Sequence, residues 1–387
     1  MYGCVNFSLL CEGRVPVLPQ IILLCILLLP VTCFATEAAP GDDRRPAVIR
    51  GDLNYENITI TEDATWRGTI LVRGSVVIAP QATLRIEPGT IVRFMKSAII
   101  RQTPRLVIMG RLHCNGTIEK PVLFTSNSAA ISKGDWGGLL FLSSEKRNQL
   151  DNFRIEGADI AIDSHFSTLT IKGASIAKCS YGLVLRDSIA TLSAIAVNGC
   201  ITGIESRDSE IDMKDAAISD NKKGVDAYHS TLVLSSVKIS TSSKEGLLAE
   251  DCRIRFASCE FAGNGLGAFI KGGEGQVQLS RFVRNSDVGL LLSGARIKLQ
   301  RCTFTDNRGD GMKVDDGRSS VWYSIFSGNS GYNLANSGRD DFSAVQNWWG
   351  GIDESAIMAK LLGSSKDARL GAVIVAPWLT EKPVVSP

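Results

Sequence analysis

The chain has 387 residues, with 42 Lys and Arg against 40 Asp and Glu, 37 Gly and three His. A net charge of +2 excludes the strong basic field of a nucleic-acid binder, and a hydrophobic content of 44 % excludes a disordered chain. Imidazole chemistry is confined to His113, His165 and His229, which lie far apart in sequence, so neither a metal site nor a cofactor is expected.

Residues 21–29 read IILLCILLL, too short for a helical membrane span of about 20 residues. Pro30 and small residues up to Ala35 follow, which gives the form of a secretory signal peptide, 1–35, cleaved after Ala35. The competing reading is a buried apolar segment. No other stretch is long and apolar enough to span a membrane. The expectation is an exported protein (periplasmic, cell-surface or secreted) whose mature part has no membrane span. Four of the ten Cys leave with the leader. Cys114, Cys179, Cys200, Cys252, Cys259 and Cys302 stay, and none forms the C-x-x-C pair of a zinc ribbon or redox motif.

A flexible lead-in is expected over 36–56. From 57 to 156 short alternating runs recur (NITIT, GTILV, SVVIA, TLRIE, TIVRF, RLVIM, PVLFT), with Pro88-Gly89 as a type II turn pair. These supply an N-terminal cap and early coils. From 157 to 345 a Gly followed by apolar alternation repeats. Gly182, Gly203, Gly224, Gly246, Gly267, Gly289, Gly311 and Gly331 follow one another at 21, 21, 22, 21, 22, 22 and 20 residues, with Gly157 standing 25 before the first. The Gly is expected as a turn residue placed once per unit. Asn221, Asn264, Asn285, Asn307 and Asn329 precede their Gly by two to four residues. Asn suits turns and stacks in bonded ladders.

Each unit holds about three runs at period two, hence three short strands. Units this short and this regular wind so that each strand pairs in parallel with its equivalent one turn on, and parallel crossovers are right-handed. The fold expected is all-β: a single-stranded right-handed parallel β-helix, about three strands per coil, period 20–22, with N- and C-terminal caps. A leucine-rich repeat has a similar period but needs a Leu-dominated consensus and a helical outer segment. The register places Ala174, Ile195, Ala216, Val237, Cys259, Ser280 and Cys302 on one inward ladder. Cys259 and Cys302 are then two rungs apart, about 9.6 Å, beyond disulfide reach. Cys179 and Cys200 occupy the Asn position of adjacent units, ~4.8 Å apart. They can bridge, or stay as two thiols in the ladder. A C-terminal cap is expected over 346–387, with a short helix over 353–362 capped by Asp353, and with Trp348 and Trp349 as a plug over the last rung rather than a sugar-stacking platform.

The segments TWRGTILVRGSVVIAPQATLRIEPGTIVRF, EKPVLFTSN and GDWGGLLF, with the NWWG and APWL ending, resemble exported bacterial right-handed β-helix repeat proteins of the pectate-lyase-like superfamily. That resemblance covers nearly all of the mature chain. It implies the β-helix fold and a range of roles from lyases, hydrolases and epimerases to adhesins. The catalytic patterns of its enzymes are not matched. Arg296-Ile297-Lys298 reads as the RIK of polygalacturonases but precedes Asp315-Asp316, and there is no Gly-His-Gly; its alternation is that of an ordinary strand. The Asp-Pro-His-Asp of alginate epimerases is absent, and Arg101 to Arg105 does not fit the pectate-lyase Arg pattern.

The outward residues after each Gly offer a candidate site. Glu205 and Asp226 fall on adjacent rungs, close enough to share a proton or to serve as acid and nucleophile on a glycoside. Arg186, Arg207, Tyr228, His229, Glu250, Phe269 and Lys271 extend the same surface. The plain reading is a solvated face with cross-rung ion pairs. The functional reading is a face for an extended polymer, with a polysaccharide or cell-envelope component as partner. The expected function is non-catalytic binding or scaffolding. The alternative is a polysaccharide lyase or glycoside hydrolase working through Glu205 and Asp226.

Overall fold

The computed structural model describes residues 47–48, 53–96, 103–144 and 146–384. The leader expected over 1–35 and most of the lead-in lie outside them. The described chain winds as a right-handed parallel β-helix with three faces. The first face is a sheet of 14 strands, typified by Tyr181–Arg186, Thr202–Arg207 and Lys223–Tyr228. The second face is typified by Ile189–Ser193, Glu210–Lys214 and Thr231–Ser235, and the third by Ala196–Asn198, Ala217–Ser219 and Lys238–Ser240. The second and third faces form one sheet of 26 strands, because Asn148–Glu156 and Thr168–Ala177 run round the corner between them unbroken. Fourteen rungs at ~4.8 Å make a column roughly 60 Å long.

Coil pairing starts earlier than residue 57. Ala47–Val48 pairs with Ala64–Trp66, and Leu53–Tyr55 pairs with Thr69–Val72, so part of the expected lead-in already belongs to the helix. Pro88-Gly89 makes the expected turn: Gly89 has φ +78, and the Thr90 N–H donates to the Glu87 carbonyl at 3.2 Å.

The recurring Gly does not turn the chain. Gly182, Gly203, Gly224, Gly246, Gly267, Gly289 and Gly311 have no positive φ and lie at strand starts. Each is needed for space: a Cβ on Gly224 would sit 2.2 Å from the Gly246 carbonyl oxygen, and the others meet a similar carbonyl or Asn Nδ2 one coil on. The register also shifts the ends of this column. Leu139 pairs with Ile162 and Ile162 with Leu183, so Ala161, not Gly157, precedes Gly182. Met312 pairs with Leu334, so Asn333, not Gly331, follows Gly311.

The corners are turned by single left-handed residues of many types. Between the first and second faces these are Phe166, Asp187, Asp208, His229 and Asp251, with φ from 48 to 52°, then Gly272 and Gly294. Inside another corner runs the Asn ladder. Asn264, Asn285 and Asn307 are fully buried, and each backbone N–H donates to the next Asn Oδ1 at 2.9–3.1 Å. Each Nδ2 also reaches a backbone carbonyl, as Asn285 does to Phe261 at 3.1 Å. A Ser ladder lines the corner between the first and second faces: the Ser188 and Ser209 N–H groups donate to Ser209 and Ser230 Oγ at 3.0 and 3.2 Å. These side chains satisfy backbone groups that the turns leave buried.

The inward ladder from Ala174 to Cys302 is buried throughout, at 4 % exposure or less. Alongside it Phe261, Phe282, Phe304, Phe326 and Trp349 stack at 4.6–5.1 Å between centroids. Trp349 ends that stack as a plug. Trp348 is half-buried, with the Lys382 ammonium over its ring at 5.4 Å. The expected helix is shorter than 353–362, spanning Glu354–Ala359. Asp353 caps it, accepting the Ala356 N–H at 2.8 Å, and Leu361–Leu362 is a strand on the last rung of the first face.

Candidate functional site

Glu205 and Asp226 are direct register partners on adjacent strands of the first face, in the column Asp163, Val184, Glu205, Asp226, Leu248, Phe269, Leu291. The neighbouring column runs His165, Arg186, Arg207, Tyr228, Glu250, Lys271. The two columns interlock by charge. Arg186 reaches Asp163 at 3.4 Å and Glu205 at 3.6 Å; Arg207 reaches Glu205 and Asp226, each at 3.9 Å. Lys223 Nζ donates to Asp226 Oδ2 at 2.9 Å, and this carboxylate pushes the Lys223 ammonium pKa above its ordinary value. His165 Nε2 lies 2.9 Å from Asp163 Oδ1. Every carboxylate of the patch therefore faces a cation, in the pattern of cross-rung pairing on a solvated face.

The remaining expected residues fall around this zipper. The Tyr228 ring stacks on His229 at 3.8 Å, and the Arg207 guanidinium lies 5.5 Å from the centre of the Tyr228 ring. His229 is a corner residue, exposed, with ring nitrogens 3.7 Å from Asp208 and 3.8 Å from Asp251. Lys271 pairs with Glu250, whose charge pushes the ammonium pKa up. Phe269 stands apart from the charged groups, half-buried in an apolar strip between Leu248 and Leu291. The structure thus gathers Arg186, Glu205, Arg207 and Asp226 into one network and sets Glu250, Lys271 and Phe269 beyond it.

A different surface is concave. On the second face a groove of about 500 Å³ crosses the strands Thr231–Ser235, Arg253–Ala257, Glu274–Gln278 and Arg296–Gln300. Its outward side chains form two columns, Arg253, Glu274, Arg296 and Arg255, Gln276, Lys298. Gly275 holds the inward position that Ile254 and Ile297 fill on either side, and a Cβ there would meet the Ile254 carbonyl at 2.0 Å. Gly275 lines the groove and brings no side chain to it. Arg253 faces Glu274 at 3.9 Å, whereas Arg255, Arg296 and Lys298 are exposed and pair with no carboxylate among the described residues. Arg296 and Lys298 alternate outward as the sequence implied, but they line the groove. The other groove residues lie on the second strand of each coil, not on the strand after each Gly. The readable signal was four cations on alternate positions of two strands that stand two coils apart.

Residues 56–184 match the pectate-lyase like beta helix domain family, and residues 202–348 match the right handed beta helix region family. The chain belongs to the pectate-lyase-like right-handed β-helix proteins. Two solved mutants of the periplasmic alginate epimerase AlgG superpose with TM-scores of 0.56 and 0.55 at 12 % identity, over 82 % of this chain and 78 % of theirs. The Azotobacter vinelandii mannuronan C-5 epimerase AlgE6 A-module gives a TM-score of 0.38 at 13 % identity, over 83 % of this chain and 91 % of that one. At 12 % identity the likeness of AlgG to this β-helix is one of fold. A search of curated protein sequences found no match. Among the described residues of the β-helix no group of side chains is arranged to hold a metal ion, and no helix is long and apolar enough to cross a membrane.

Proposed function

We propose that this β-helix binds an extended anionic polysaccharide without turning it over, and that the second-face groove is where the polymer lies. One observation carries this: among the described residues three exposed cations, Arg255, Arg296 and Lys298, line a hollow whose one carboxylate, Glu274, lies 3.9 Å from a fourth cation, Arg253. An elongated groove running across four rungs suits a polymer rather than a compact ligand. The first-face patch supports the same reading, because Glu205 and Asp226 are engaged by Arg207, Arg186 and Lys223 and neither stands free to act as an acid. Alginate epimerases on a similar scaffold make alginate the first probe.

Binding of fluorescent alginate and polygalacturonate is compared with neutral dextran by titration. Acidic polymers are expected to bind, dextran not, and affinity to fall steeply with added salt. Arg255→Ser with Lys298→Ser should weaken binding at least about tenfold, each lost charge contact costing on the order of 1 kcal/mol or more. Unchanged binding in that variant would overturn the groove. The same mixtures are followed for new reducing ends and unsaturated uronates. Turnover that disappears in Glu205→Gln and Asp226→Asn would replace the binding reading with the lyase or hydrolase one. We also read the protein as exported, with the mature chain starting at Thr36; amino-terminal sequencing of the product checks this.

A further inference from the structure

We infer that Cys179 and Cys200 form a disulfide that staples two consecutive coils. The register pairs Tyr181 with Thr202, which sets Cys179 level with Cys200 at the same corner one rung apart, ~4.8 Å. That separation falls within the Cα range of a disulfide. Both residues are buried, at 0 % and 2 % exposure, and both stand as thiols in this structure. As thiols each turns to its own corner, Cys179 donating to the Ala177 carbonyl at 3.3 Å and Cys200 to the Asn198 carbonyl at 3.5 Å, and each feels the other: Cys179 is pushed above the ordinary thiol range and Cys200 pulled below it.

The position explains the pair. The corner column runs Trp136, Ala158, Cys179, Cys200, Asn221, Ser242, Asn264. From Asn221 onward side-chain amides and hydroxyls occupy it, and the Asn members bond coil to coil; Trp136 and Ala158 supply no such group. The cysteines stand where the ladder ends. A covalent link there takes over the coil-to-coil connection that hydrogen bonds make further along.

The other four cysteines are isolated from one another. Cys259 and Cys302 flank the Ser280 rung, and burial pushes them up to about 11 and about 12. Cys252 lies between the Ser230 and Gly273 rungs, and Cys114 pairs in register with Ile86 and Leu150.

The oxidant is a disulfide, either a dithiol–disulfide oxidoreductase or oxidised glutathione, meeting the chain as the coils close. The Cys200 thiolate attacks one sulfur of that disulfide, forming a mixed disulfide and releasing one thiol. Cys179 then loses its proton and attacks the Cys200 sulfur, releasing the second. Two protein thiols are oxidised to one cystine and the oxidant is reduced to two thiols, so protons and electrons balance.

The test refolds the full chain in oxidised and reduced glutathione, alkylates it under denaturing conditions without reduction, and digests it with trypsin. Cleavage after Lys178, Arg186 and Arg207 places the two cysteines in peptides 179–186 and 187–207. These are expected as one cross-linked species that dithiothreitol separates. Recovery of both peptides alkylated would overturn the inference. As a second readout, reductant should lower the Tm of the wild type by several degrees and leave Cys179→Ala/Cys200→Ala unmoved. Equal shifts in both proteins would also overturn it. Neither readout involves the groove, so the outcome is independent of polymer binding.

Discussion

A Cβ on Gly224 would land 2.2 Å from the Gly246 carbonyl oxygen and 2.7 Å from an Ile239 methyl, in two directions that cannot both yield. Gly224→Ala should therefore cost about 1–3 kcal/mol through overpacking, although Gly to Ala usually favours a strand. Denaturant titration reads this as a lower midpoint at unchanged slope. The same residue shows what a sequence can and cannot disclose. The period of the Gly column was legible, because recurrence needs no structure to be seen. Its cause was not, since a demand for positive φ and a demand for empty space leave the same letter. The Asn column was legible in both respects: an amide that bonds the next coil's N–H from inside a turn has few substitutes. The corner residues were illegible. Asp187, His229, Ser258, Leu279 and Tyr323 all adopt φ between 48 and 55°, and the coil stack, not their chemistry, imposes it.

At the scale of the element, the strand Gly138–Leu142 joins the first face through an anchor just ahead of it. Asp135 is buried; its Oδ2 accepts the Ser132 N–H at 3.0 Å, and Lys96 Nζ lies 2.7 Å from Oδ1. Next to it Trp136 stacks on Phe94 at 3.9 Å and donates to the Glu156 carbonyl at 2.8 Å. Burial alone would raise the Asp135 pKa, but Lys96 and the Ser132 N–H outweigh it and hold the carboxyl below its ordinary 3.8. A depressed carboxylate stabilises the fold above its unfolded pKa, and that contribution is lost as the pH falls through the folded value. Melting curves of the wild type should therefore shift down on acidification below 3.8. Asp135→Asn, already less stable at neutral pH, should shift less over that window; parallel curves would show that Asp135 carries no such linkage. The candidate sites divide in the same way. The first-face patch was legible because alternate residues of in-register strands give it directly. The groove depends on side chains two coils apart, which no single strand contains.

For the whole molecule, stability is close to a sum of coils and of the interfaces between neighbours, so the ends decide whether the column stays single. At the C-terminal end two separate devices close it. Trp349 covers Phe326 at 4.6 Å and finishes the aromatic stack. The strands Leu361–Leu362 and Val373–Ile374 cover the hydrogen-bonding edges of Leu334–Asn336 and Phe342–Ser343. The first device hides apolar area; the second hides unpaired N–H and C=O groups that would otherwise template another chain. They can be removed separately. Trp349→Ala should cost about 3–5 kcal/mol, as large-to-small changes in a packed core do, yet leave the oligomeric state of the protein unchanged because the strand edges remain paired. Deleting residues 346–387 removes both, exposes the parallel edges of all three faces together with Phe326 and Phe342, and should drive end-to-end association. Size exclusion with light scattering distinguishes the two variants. A truncated chain that keeps the oligomeric state of the full chain and stays cooperatively folded would mean that the last coil needs no cover. An association-prone Trp349→Ala would shift the protective role from the edge strands to the indole.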